Sequence, residues 1–120
     1  MIELIMASMV LALFQSLLPT LINAKNISYF VSNRDKDIDL PPVVVRVKNA
    51  ARNLLESLPI FLTLATLAVI NDIDIAQEAT AWLVFRLAYL LCYAAGIAYL
   101  RTLIWFGSVV SLITMGIQLV

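Results

Sequence analysis

Four long apolar segments, separated by short polar ones, restrict the fold of this chain more than any other feature of its sequence. They cover about residues 2–23, 43–70, 79–99 and 102–120. Of the 120 residues, 62% are hydrophobic and 13% are charged, whereas a soluble domain usually has about 25% charged residues. A helix needs about 20 apolar residues to cross a bilayer. We therefore expect an all-α integral membrane protein, a single domain formed by a bundle of four transmembrane helices.

The first segment differs from a signal peptide, although it lies at the N-terminus. It has Glu3 in place of a basic n-region, and its apolar stretch exceeds the roughly 7–15 residues of a signal core. We expect a retained helix that is kinked or ended at Pro19. A polar loop over about residues 24–42 should follow, and Pro59 should bend the second helix within the bilayer.

The distribution of basic residues predicts the orientation in the membrane. Lys25, Arg34, Lys36, Arg46, Lys48 and Arg52 surround the first loop, and Arg101 marks the third connection. The opposite side has Glu3, Asp72, Asp74 and Glu78. The positive-inside rule then places the loop in the cytoplasm and both termini outside it. The plain four-helix plan suggests a bacterial inner membrane. Basic residues divided between a membrane edge and helix interiors argue against a nucleic-acid partner.

Several kinds of catalytic site are excluded by composition. The chain has no histidine and one cysteine, so it holds neither a Ser-His-Asp nor a Cys-His catalytic set. A metal site built from histidines or several cysteines is excluded for the same reason.

A polar stripe on the second helix is the first candidate site. Its members are Arg46, Asn49, Asn53 and Glu56, which share one arc at 100° per residue. An ionised side chain at the centre of a span costs about 2.5–3.5 kcal/mol on insertion scales, so the stripe needs a partner or a water-filled pocket. One alternative is that its basic residues are interfacial anchors. Another is that Glu56 forms a charge pair with a basic residue or joins subunits.

A second stripe lies on the third helix, where Arg86, Tyr89 and Tyr93 recur at i, i+3 and i+7. Arg86 has no acidic residue within its own helix. We therefore expect its guanidinium to point inward, toward Glu56 or toward an anionic ligand.

These residues resemble a pattern found in the MAPEG family, the membrane-associated proteins in eicosanoid and glutathione metabolism, which include the microsomal glutathione transferases. In the second helix the matching residues are Arg46, Asn53, Glu56, Pro59 and Phe61. Arg86, Tyr89 and Tyr93 match in the third helix, and Tyr99 to Thr102 match at the start of the last one. The resemblance covers nearly the whole chain and suggests a bacterial member.

The resemblance implies a homotrimer in the lipid bilayer, with glutathione as co-substrate bound between neighbouring subunits. Carried over by position, the residues that hold the tripeptide would be Arg46, Asn53, Glu56, Arg86, Tyr89 and Tyr93, and Arg101 would face the sulfur as the catalytic residue. The implied activity is that of a transferase or peroxidase acting on lipophilic electrophiles. The chain departs from many members at Asn49, where they have arginine. Arg52, one helical turn on, offers a replacement guanidinium.

Glutathione also suits these side chains on chemical grounds. Its two carboxylates fit arginine forks, its ammonium fits Glu56, and a guanidinium such as that of Arg101 favours the thiolate.

Two other functions remain open. The first is a non-catalytic trimer of the same kind that binds a small anionic or lipid ligand. The second is a small proton-coupled multidrug transporter, which has four spans but an essential glutamate inside its first helix. Here that helix has only Glu3 at its end, and the basic residues around Glu56 oppose proton carriage.

Overall fold

The chain forms only helices in the residues that the computed structural model describes, 1–33 and 40–120. In chain order these are α1 (Ile2–Ile22), a 3-10 turn (Ala24–Asn26), the short α2 (Ile27–Phe30), α3 (Pro42–Ile70), α4 (Ala76–Ala95) and α5 (Ala98–Leu119). α3 packs against α1, α4 and α5, and α4 packs against α5 along most of its length. The expected all-α class is confirmed.

Three of the helices in the described part of the chain, α1, α3 and α5, are long and apolar enough to cross a membrane. α4 has 20 residues but is more polar, because it carries Gln77, Glu78 and Arg86. The molecule extends 48 Å along its longest axis, which exceeds the hydrocarbon thickness of about 30 Å. The protein is therefore an integral membrane protein, and a fourth crossing by α4 stays a prediction.

Prolines interrupt neither of the two helices that contain them. α1 continues through Pro19 to Ile22, so it does not end at the proline. α3 continues through Pro59 to Ile70 and starts at Pro42, in a first turn where the missing N–H costs nothing. The first ten residues of the expected loop, 24–33, contain the 3-10 turn and α2. Arg34 and Lys36, which enter the orientation prediction, lie outside the described residues.

α4 ends at Ala95 instead of about residue 99, because the chain turns at Gly96. Gly96 has a left-handed φ of 80°. Its N–H donates to the Tyr93 carbonyl at 3.1 Å, and the N–H of Ile97 donates to the Cys92 carbonyl at 2.9 Å. These are the two hydrogen bonds of a Schellman motif, which satisfies carbonyls left free at a helix C-terminus.

The starts of α4 and α5 also precede the expected ones. The Asp74 carboxylate accepts a hydrogen bond from the N–H of Ala76 at 3.0 Å, so α4 begins at Ala76 instead of about residue 79. α5 begins at Ala98 instead of 102. Arg101 therefore lies in the first turn of α5 and not in the connection before it.

The core is formed where α3 and α4 meet. The rings of Phe61 and Trp82 stack with centroids 4.1 Å apart and an interplanar angle of 11°, and both side chains are fully buried. Leu54, Ala65 and Met115 belong to the same cluster. Stacked aromatics of this kind contribute about 0.5–1.5 kcal/mol beyond their buried area.

Gly107 permits the close approach of α5 to α4. A Cβ atom at this position would lie 2.6 Å from Cε1 of Phe85, closer than two carbon atoms can pack. At Gly116, further along α5, a Cβ would lie 4.0 Å from Cδ2 of Leu64, an ordinary contact. Small residues are the usual means of bringing membrane helices together.

We expect Gly107→Ala to be less stable than Gly116→Ala by about 1–3 kcal/mol, the usual cost of overpacking. Both replacements gain the same helix propensity, about 0.5–1 kcal/mol, so their difference isolates the contact with Phe85. The measurement is the free energy of unfolding of both variants in one detergent. Equal stability of the two would contradict the close packing at Gly107.

Candidate functional site

Two arginines and two tyrosines of α4 and α5 form a continuous stack. Cζ of Arg86 lies 4.5 Å from the ring centroid of Tyr89, and the rings of Tyr89 and Tyr93 meet edge to face at 5.6 Å. Cζ of Arg101 lies 4.3 Å from the centroid of Tyr93. A guanidinium within about 6 Å of a ring centroid is attracted by the ring quadrupole. The structure therefore brings four of the predicted site residues together, and we call them the guanidinium–tyrosine stack.

The stack runs from the interior of the bundle to its edge. Arg86 is 1% exposed and Tyr89 is 6% exposed, while Tyr93 and Arg101 are half-buried. The spacing i, i+3, i+7 places the three α4 members on one face. The turn at Gly96 then returns the chain along α4, which brings Arg101 over the Tyr93 ring.

A small cavity of about 150 Å³ lies at the outer end of the stack. Its lining residues are Asn53, Tyr89, Arg101, Thr102 and Trp105. We call it the polar cavity, since it presents an amide, a phenol, a guanidinium and a hydroxyl. Asn53 lines this cavity, and its buried Oδ1 atom has no hydrogen-bond partner among the described residues. This oxygen is therefore free to accept a hydrogen bond from a ligand.

A larger cavity of about 380 Å³ shares Asn53 and Trp105 with the polar cavity. Its other lining residues are Glu56, Ser57, Ile60, Val109, Leu112 and Ile113. We call it the apolar cavity, because Trp105 and four aliphatic side chains of α3 and α5 form most of its wall. An ionic group at Arg101 and an apolar molecule against α5 could therefore meet near Trp105.

A groove of about 490 Å³ lies on the other side of Glu56, between α1 and α3. It is lined by Ser16, Pro19, Thr20, Lys48, Ala51, Arg52, Leu55 and Glu56. Glu56 thus borders both this α1–α3 groove and the apolar cavity. The basic side chains Lys48 and Arg52 give the groove a positive rim.

Glu56 does not form the charge pairs considered from the sequence. Its side chain is exposed, and between the described residues the one salt bridge joins the Met1 amino group to Glu3 at 3.4 Å. Within a single chain Glu56 therefore pairs neither with Arg86 nor with a basic neighbour on α3, and these two alternatives from the sequence are not supported.

Arg46 belongs to α3, but its side chain lies beside the C-terminal end of α4, apart from the three cavities. Its Nη2 donates to the Ala94 carbonyl at 3.2 Å, and a Cβ at Gly96 would lie 3.6 Å from its Cζ. A cation is favourable here because the last carbonyls of a helix carry partial negative charge. The buried Nε of Arg46 has no partner within residues 1–33 and 40–120. Arg46 thus supports the turn that positions α5 and keeps one donor for a ligand.

Two residues of the polar cavity were missed by the sequence analysis, Thr102 and Trp105. Trp105 follows Arg101 by four residues on α5, so helical spacing could have placed it on the same face. No spacing rule indicates the shared wall of the two cavities, because it depends on the packing of α3 against α5. The described residues contain no group of three or more His, Cys, Asp or Glu that could hold a metal ion.

Comparison with known proteins identifies the family of this chain. The model of the MAPEG family matches residues 4–120, nearly the whole chain. No curated protein matches the sequence. A match over this length, on a bundle of apolar helices with an arginine–tyrosine face, shows that the chain belongs to the MAPEG family.

Proposed function

We propose that this protein is a glutathione-dependent transferase or peroxidase acting on lipophilic electrophiles, with Arg101 stabilising the glutathione thiolate. The observation that carries the proposal is the position of Arg101, held over the Tyr93 ring at 4.3 Å and lining the polar cavity. Membership of the MAPEG family supports a function in membrane glutathione or eicosanoid metabolism in general.

A guanidinium at this position would create a nucleophile without a histidine base. A free thiol has a pKa of about 8.5, and a neighbouring cation lowers it by favouring the thiolate. Contact with the Tyr93 ring would limit the movement of Arg101, so its charge stays aimed at the sulfur. The thiol proton would leave to water as the thiolate forms.

The adjoining apolar cavity would receive the electrophile from the bilayer. For an aryl halide the thiolate sulfur forms a bond to the ring carbon, and the halide leaves with the electron pair of the broken bond. For a lipid hydroperoxide two glutathione molecules would be oxidised to the disulfide, while the hydroperoxide is reduced to an alcohol and water. Both reactions need a charged sulfur beside an apolar wall, which is the arrangement at Trp105.

The remaining groups of glutathione would contact residues at the rim of these cavities. Asn53 offers its unpartnered Oδ1, and Glu56 offers a carboxylate for the ammonium. Arg46 lies apart from these cavities, and its unpartnered Nε would hold a glutathione carboxylate there. Arg86 would act through Tyr89 and Tyr93, since it is 1% exposed and lines none of the three cavities. Arg52, on the rim of the α1–α3 groove, is placed to substitute for the arginine absent at Asn49.

We propose that the active form is a homotrimer that binds glutathione between subunits. The exposed Glu56 carboxylate supports this, since an unpaired charge beside a span is costly in lipid. The plain plan of four predicted spans supports a bacterial inner membrane, although an endoplasmic-reticulum membrane also fits. The distribution of basic residues supports an orientation with the residue 24–42 loop in the cytoplasm and both termini outside it.

Replacing Arg101 by leucine should raise the pKa of the bound glutathione thiol by about 1–2 units, the usual effect of removing a nearby charge. The rising limb of the plot of activity against pH then moves to higher pH, and kcat/KM at pH 7 falls about 10–100-fold. The measurements are thiolate absorbance on titration and conjugation of an aryl halide by the purified protein. Lys25→Gln, which removes an exposed cation away from the cavities, is the control. An unchanged thiol pKa in Arg101→Leu would contradict the proposed role of Arg101 in stabilising the thiolate.

Replacing Glu56 by glutamine should weaken glutathione binding about 10–100-fold, because a hydrogen bond between charged groups is lost. The same variant should bind a glutathione analogue without its amino group as tightly as the unmodified protein does. Calorimetry in nanodiscs measures both affinities. If Glu56→Gln weakened the binding of both ligands equally, the Glu56 carboxylate would not be the group that contacts the glutathione ammonium.

The alternative function, a non-catalytic trimer that binds a small anionic or lipid ligand, is favoured by the positive rim of the α1–α3 groove. Native mass spectrometry of the purified protein separates the two functions. We expect a trimer with glutathione attached. A trimer that carries an anionic lipid and gains no mass with glutathione would support the alternative, and a monomer would contradict the assembly.

A further inference from the structure

Several buried polar side chains lack hydrogen-bond partners, and Gln15 and Arg86 are two of them. Gln15 of α1 and Arg86 of α4 are each 1% exposed. The Oε1 atom of Gln15 and the Nε and Nη2 atoms of Arg86 make no hydrogen bond to any described residue. Buried polar groups without partners are rare, because each one costs free energy that a hydrogen bond would recover. The two orphaned groups are chemically complementary, since one only accepts and the other only donates.

On its own helix, each of these two side chains lies between residues of the same two buried clusters. α1 and α4 are in contact, and Leu11 shares a buried cluster with Trp82. Further along both helices, Leu18 packs against a second cluster that contains Tyr89.

Gln15 lies four residues after Leu11 and three before Leu18. Arg86 lies four residues after Trp82 and three before Tyr89. Because both helices rise about 1.5 Å per residue, these equal steps give Gln15 and Arg86 corresponding positions between the two clusters.

The hydrogen-bonding capacities of the two groups indicate which kind of molecule lies between them. An anion would accept from Arg86 but would offer nothing to the Gln15 carbonyl. A water molecule accepts from one and donates to the other, and buried water usually satisfies polar groups of this kind.

We propose that Gln15 is a positioning residue for Arg86, joined to it by one buried water molecule. The Gln15 carbonyl accepts from the water, and the water accepts from the guanidinium. This bridge fixes the guanidinium on the ring of Tyr89 and thereby holds the inner end of the guanidinium–tyrosine stack. The expected effect of this bridge on ligand affinity rests on the proposed glutathione function, whereas the bridge itself does not.

A double-mutant cycle without any ligand tests the coupling. Gln15→Leu should lower the Tm of the detergent-solubilised protein by about 5 °C, because Arg86 is left without an acceptor. In an Arg86→Leu background the same replacement should not lower the Tm, since no buried charge remains. Equal losses in the two backgrounds would overturn the proposal.

Ser8→Ala is the matched control on α1. Ser8 is fully buried, but its Oγ already donates to the Ile5 carbonyl at 2.7 Å. Its effect should therefore be the same with and without Arg86. Gln15→Glu keeps an acceptor and should recover most of the Tm lost in Gln15→Leu. Failure of this rescue would leave Gln15 with a packing role and would contradict the proposal.

If Gln15→Leu does not accumulate as folded protein, the double variant with Arg86→Leu decides the question, because removing both partners removes the unsatisfied charge. It should fold, and its failure would also overturn the proposal. A nuclear Overhauser cross-peak between the Arg86 Nε–H and a long-lived water is expected in the unmodified protein. Its absence would overturn the water bridge.

Glutathione affinity separates this inference from the proposed function. Gln15→Leu should raise the glutathione Kd about tenfold, through a stack that no longer holds Arg101 in place. A protein with coupled Gln15 and Arg86 that binds no glutathione would overturn the proposed function alone. A protein that binds glutathione and shows no coupling would overturn the positioning role alone.

Discussion

A guanidinium stays charged at any physiological pH, so Arg86 brings a full positive charge into a bundle that is otherwise apolar. Few arrangements tolerate such a charge within a membrane protein. Here the face of Tyr89 lies 4.5 Å from it, and the surrounding helices leave it 1% exposed. The more polar α4 is thereby kept against α3 and α5, while the apolar faces of its neighbours are left for lipid. The contact with Tyr89 also begins the stack that reaches Arg101 at the edge of the bundle.

The stack separates two chemical environments along α5. Arg101 and Thr102 provide polar atoms at one end, and aliphatic residues line the cavity that begins at Trp105. A reaction between an ionic sulfur nucleophile and a lipid-soluble electrophile needs both environments within one molecular length. Asn53 lines both cavities, so α3 contributes to the wall of each. This arrangement supports the transferase function that we propose, since a binding protein needs only one of the two environments.

Helix formation follows directly from the apolar segments, because backbone groups in lipid must be satisfied within each segment. The arginine–tyrosine spacing likewise indicated one face of α4. The ends of α4 and α5 could not be placed as well. A left-handed Gly96 ends α4 at Ala95, and nothing in the surrounding apolar run distinguishes this glycine from one inside a helix. Arg46 was expected in the site, yet it donates to the Ala94 carbonyl, a partner that depends on where α4 ends.

The sequence by itself determined that the protein is an all-helical membrane protein of the MAPEG family, since hydrophobic length and residue spacing are local properties. Only the tertiary structure decided which charges are paired, which polar atoms are buried and which residues share a cavity. Arg86 was expected to point inward, toward Glu56 or toward an anionic ligand. It is buried, whereas Glu56 is exposed. Gln15 became informative only when its burial and its unpartnered oxygen were known. Burial and contact depend on how helices distant in sequence pack. Helical periodicity within one segment does not indicate which other helices pack against it.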